Sequence, residues 1–80
     1  MRLPRNVSGA DLGRALGQLG YVLARQKGSH MRYTTSQRGT HHVTIPDHRP
    51  VKTGTLHGIL KDVAAHHGMG MEALLQVLEL

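Results

Sequence analysis

Apolar positions along the chain follow two different spacings, and the switches between them divide it into elements. Leu12, Ala15, Leu16 and Leu19 recur at i, i+3, i+4 and i+7, which is one face of a helix. Ser8 stands before that stripe as an N-cap, Asp11 puts a carboxylate in the positive first turn, and Gly20 supplies a left-handed stop. The texture then becomes that of strands. Residues 21–26 run into Lys27-Gly28-Ser29, where Gly28 can take the positive φ of a tight connection. Residues 30–35 alternate strictly, with Met31 and Tyr33 on one face and His30, Arg32 and Thr34 on the other. After the polar turn 36–39, a third strand over 40–45 turns Val43 and Ile45 to the core and His42 and Thr44 away, and Pro46 is expected to end the pairing.

Helical spacing returns beyond the loop 46–52. Thr53 is placed to cap a second helix whose stripe is Leu56, Ile59, Leu60, Val63 and Ala64, and Gly68 closes it. Met71, Leu74, Leu75 and Leu78 repeat the pattern in a short third helix, which covers an open end of the core or meets a partner. The order predicts an α+β two-layer sandwich, with helices on one side of a three-stranded meander and a face bearing His, Arg and Thr on the other. A single domain over 1–80 is expected, with its core in about 8–68 and the last helix at about 71–79.

Composition narrows the classes. A chain of 80 residues hides only roughly 60% of the surface its unfolded form exposes, so it has room for one core. Without Cys there is no disulfide scaffold, thiolate zinc site or cysteine nucleophile, and a reducing cytosol suits it. No apolar run approaches the roughly 18 residues of a membrane span, and the basic start 1–6 lacks the apolar stretch of a secretory leader. The expectation is a cytoplasmic domain with no membrane partner. Ten Lys and Arg against five Asp and Glu, a formal charge of +5, favour a polyanion. Tyr21 and Tyr33 are the only aromatics, too few for a stacking platform, so phosphate and ribose contacts are expected to dominate in any RNA complex.

Gly28-Ser29-His30 is the most suggestive local chemistry. A glycine turn lets a phosphate approach the backbone, Ser29 offers a hydroxyl and an amide, and His30 projects from the open face beside Arg25, Lys27 and Arg32. Such an imidazole can act as general base or acid in RNA cleavage, taking the proton from a ribose 2′-OH, while the cations stabilise charge developing on phosphorus. The residues alone leave open the plainer reading of a solvated strand histidine. His48 lies in a Pro-flanked loop, and Lys52 stands beside the amides of Thr53-Gly54-Thr55, where a phosphate could be held. His41-His42 and His66-His67 are adjacent pairs whose side chains diverge, so neither chelates one ion by itself, and the five acids are spread singly. No metal site and no cofactor are expected.

Three blocks go further: 25–30 (RQKGSH), 43–48 (VTIPDH) and 52–61 (KTGTLHGILK). In order and spacing, over about residues 8–68, the chain resembles the HicA (YcfA-like) toxins of HicA–HicB type II toxin–antitoxin modules. The resemblance implies a double-stranded-RNA-binding-domain-like α-β-β-β-α fold, here with an extra short C-terminal helix. It also implies an mRNA interferase that arrests translation, with His30 in the position of the catalytic histidine and a HicB antitoxin that masks the site. Two positions depart from the family pattern. Met31 stands where many members have a second His, and His57-Gly58 replaces the usual Arg-Ser, removing a cation from the second helix. The leading expectation is a metal-independent endoribonuclease using His30, with RNA contacts from Arg25, Lys27, Gly28, Ser29, Arg32, His48 and Lys52. The alternatives are a non-catalytic RNA-binding or regulatory domain on the same fold, and an interaction module using the 71–78 stripe.

Overall fold

A computed structural model describes residues 3–80; Met1 and Arg2, the start of the segment read as lacking a leader, lie outside the described residues. The order is α1 (Gly9–Leu16), a 3-10 turn (Gly17–Leu19), β1 (Val22–Lys27), β2 (His30–Thr35), β3 (His41–Pro46), α2 (Thr53–His67) and α3 (Met71–Leu78). This is the expected α+β arrangement, a three-stranded antiparallel sheet in the order β1-β2-β3 with its helices packed on one face.

α1 begins as the sequence indicates, with the Ser8 hydroxyl accepting from the Asp11 amide at 3.0 Å. It tightens into the 3-10 turn and stops at Gly20, whose φ is +82°. Gly9 and Gly13 face the sheet, where a Cβ would collide with the Pro46 carbonyl and the Tyr33 ring respectively, so the helix lies closer to the strands than side chains permit. Leu12, Leu16, Ile45, Leu56, Leu60 and Val63 form the fully buried centre between the layers. Met31 is buried at the position where a second histidine was noted as missing, so a polar ring there would face apolar neighbours.

Three boundaries and one register differ from expectation. Tyr21 is not in the first strand: it sits buried just before it, and β1 runs one residue further, through Lys27. β3 likewise starts at His41 and includes Pro46, which pairs with His30 at the sheet's margin, where the missing amide of proline costs no ladder bond. The N-cap of α2 is Lys52, not Thr53, and no side chain caps it. The fourth difference is a bulge. Val22 and Leu23 oppose Thr34 and Tyr33, but Arg25 opposes Arg32, leaving Ala24 as the extra residue.

α3 docks on α2 through Leu74 and Leu78, both buried, so most of the 71–78 stripe completes the core. Among the described residues no helix is long and apolar enough to cross a membrane.

Candidate catalytic histidine and nucleic-acid interface

Pairing across the 28–29 turn sets Lys27 opposite His30 and Arg25 opposite Arg32, and the Ala24 bulge adds Val22 to their face. In an uninterrupted strand, Arg25 and Lys27 would alternate onto the face opposite Val22; the extra residue reverses that phase. Across the sheet, the open-face rows are therefore Lys27–His30–Pro46, Arg25–Arg32–Thr44 and Val22–Thr34–His42. Arg25, Lys27, His30, Arg32 and Thr44 line one hollow of about 210 Å³. Arg32 is half-buried at its floor, whereas His30, Arg25 and Lys27 are exposed. The geometry thus supplies one imidazole among three cations, open to solvent, which is what proton transfer beside a polyanion requires.

The hairpin carrying His30 is held from behind. Lys27 pairs with His30 across a two-residue loop whose Gly28 has φ +58°, glycine's place at the first position of a II′ turn. The Gln26 amide donates to the Gly28 carbonyl at 3.1 Å and reaches the Asp47 carboxylate at 3.4 Å. The Asp47 backbone amide donates to the Ser29 carbonyl at 2.6 Å. Gln26 and Asp47 therefore position the turn, a role that spacing gave no hint of because they lie 21 residues apart.

The remaining candidate residues are distributed unevenly. Gly28 and Ser29 form the turn next to His30, with the Ser29 side chain exposed. His48 is exposed, and its carbonyl accepts from Gly9 at 2.9 Å, tying the loop to the start of α1. Lys52 does not share the His30 hollow; with Arg5, Asn6 and Thr53 it lines a separate groove of about 620 Å³.

The paired histidines have a different fate. His42 points to the open face, while His41 turns inward at the opposite end of the sheet from His30 and meets α2. There the buried Tyr21 hydroxyl lies 2.7 Å from His41 Nδ1 and 3.1 Å from His67 Nε2. A phenol has one proton, so it donates to one ring and accepts from the other. His41 Nε2 faces the Asp62 carboxylate at 3.4 Å, which favours a proton on that nitrogen and leaves Nδ1 to accept from Tyr21. His67 Nε2 then donates to the phenol oxygen. His66, stacked on His41 at 4.3 Å, donates from Nε2 to the Gln37 and Gly39 carbonyls at 2.9 and 3.1 Å. Burial, then His66, His41 and Arg38, push the His67 pKa below its ordinary value. Burial, then Asp62, push Tyr21 up to about 12. The network ties β3 and the β2–β3 turn to the end of α2. Among the described residues no group of three or more His, Asp or Glu is arranged to hold a metal ion.

Comparison with the curated proteins and with the solved structures gave no significant match. A family model described as the HicA toxin of bacterial toxin–antitoxin matches residues 9–64, which run from the first residue of α1 through most of α2 and include the whole sheet. With more than half of its length matched, and with the strand order and the His30 hairpin that the resemblance implied, the chain belongs to the HicA toxin family of bacterial toxin–antitoxin systems.

Proposed function

We propose that the protein is an mRNA interferase, the endoribonuclease half of a toxin–antitoxin pair, with His30 as its proton-transfer residue. The observation that carries this reading is the shared hollow of His30 with Arg25, Lys27 and Arg32. His30 takes the proton of a ribose 2′-OH, and the freed oxygen bonds to the adjacent phosphorus. The P–O5′ bond breaks as the 5′ oxygen takes a proton from water, leaving a 2′,3′-cyclic phosphate and a hydroxide that the His30 imidazolium neutralises. The three cations carry the charge that grows on the phosphoryl oxygens in the transition state. The Gly28-Ser29 turn lies beside His30 for a backbone or hydroxyl contact to the same phosphate, and His48 and Lys52 serve flanking phosphates.

This chemistry calls for no metal, which agrees with the single spread of the five acids. mRNA is the substrate and the cytoplasm the place of action. A HicB-type antitoxin restrains the toxin by covering the hollow. The test is incubation of the purified protein with mRNA in EDTA, alongside His30→Ala. Cleavage by the wild type and its loss in the variant are expected; no cleavage by either, with salt-sensitive RNA binding, points to a non-catalytic RNA-binding or regulatory domain, and equal cleavage by both removes His30 from the mechanism.

A further inference from the structure

The open sheet face continues past the cations into a second hollow of different chemistry. It measures about 630 Å³ and is lined by Val22, Ala24, Thr34 and His42 together with Gly20, Thr35, Ser36 and Thr40. No cation lines it. Val22 is 64% exposed there, the most exposed of the large apolar side chains noted on the surface. By strand rise its row lies about 7 Å beyond the Arg25–Arg32–Thr44 row and about 14 Å from the His30 row.

We propose that this hollow binds a base of a single-stranded RNA next to a phosphate held at Arg25 and Arg32, so that Thr34 and His42 help to select which base is accepted. The proposal rests on the ribonuclease reading for the identity of the ligand. Its own support is the sequence of chemistries along the face. A nucleotide presents an anionic phosphate and, one step away, a flat base with apolar faces and polar edges. The sheet presents cations and, one row away, the aliphatic Val22 and Ala24 edged by the polar rim of Thr34 and His42.

The Ala24 bulge makes the two halves continuous, since only that extra residue puts Val22 and Arg25 on the same face although they are three apart. The rim is also ordered. His42 Nδ1 and Thr34 Oγ1 are 2.8 Å apart, which fixes the imidazole plane and leaves its other nitrogen available to a base edge. Histidine rings are among the surfaces on which splayed RNA bases stack, and recognition of such bases is how single-stranded RNA is read specifically.

The test is fluorescence anisotropy with labelled rA, rC and rU decamers, using the His30→Ala protein so that the probes survive. The expected result is unequal affinity among the three decamers. Adding His42→Ala should weaken the best of them about tenfold and bring the three within about twofold of one another. Adding Arg32→Ala instead should weaken all three alike and lower the salt slope by about one. A Val22→Ser variant, which touches the aliphatic part and not the ring, should reduce the spread in the same direction. Equal affinities at the outset, uniform weakening by His42→Ala, or no binding by any decamer overturns the subsite. Cleavage of mRNA by wild type and His30→Ala is read separately, and cleavage lost in the variant while the decamers bind alike fails the subsite alone, so failure of the subsite and failure of the catalytic reading are distinguishable.

Discussion

At the scale of single residues, the site depends on how closely backbone approaches backbone. Gly9 lies against the carbonyl of Pro46, which is itself the strand partner of His30. A methyl group at residue 9 meets main chain that cannot swing aside, so Gly9→Ala is expected to lose about 1–3 kcal/mol despite alanine's better helix propensity. At Gly13 the obstacle is the outer end of the Tyr33 ring, which can turn, and Gly13→Ala is expected to cost less. Urea denaturation of the two variants checks the order; equal stabilities would show that α1 does not lean on Pro46. The motif 25–30 announced His30 and its cations, and counting back from the 28–29 turn puts Lys27 and Arg25 on the His30 face, but alternation alone would put Leu23 there in place of Val22. Val22 takes that place because of Ala24, and nothing about an alanine in a strand marks a bulge before the pairing partner is known.

At the scale of elements, the cluster of Tyr21, His41, His66, His67 and Asp62 fastens β3 to α2. Tyr21→Phe leaves a buried nitrogen on His67 and a part-buried one on His41 without their partner, so a loss of about 1–3 kcal/mol is expected in denaturant unfolding. pH tests the same cluster. His67 is lowered in the folded state, so the unfolded chain binds more protons just below pH 6.5; stability is present above that value and falls as pH drops toward the folded pKa. Tyr21 is raised, so its contribution is intact below pH 10 and is lost as pH rises toward about 12. The melting temperature should decline on both sides, with the alkaline decline reduced in Tyr21→Phe; a flat profile would contradict the assignment. Sequence spacing showed that each histidine pair diverges, but it could not show that His41 and His67 converge on Tyr21 from 20 and 46 residues away. α3 was legible as an amphipathic helix and ambiguous as a surface; its docking on α2 resolves that, because Leu74 is fully buried. Leu74→Ala is expected to cost about 2–5 kcal/mol, and a loss under 0.5 kcal/mol would show that α3 is not part of the core.

At the scale of the whole molecule, the two faces of one small sheet divide the labour. The helix-covered face holds Met31, Val43 and Ile45, while the open face holds His30, the three cations and, beyond them, Val22, Thr34 and His42. The fold was readable from apolar spacing because burial imposes period two on strands and 3.6 on helices. Lys52 was grouped with the site by its nearness to a helix start, yet the chain path through 46–52 sets it on another groove, and loop paths carry no such period. Whether the His30 imidazole moves the proton is decided by single-turnover cleavage of a defined mRNA by wild type and His30→Ala, in EDTA and at matched protein fold. The rate should fall about 10²- to 10⁴-fold in the variant with RNA still bound. Undiminished cleavage by His30→Ala would contradict that role.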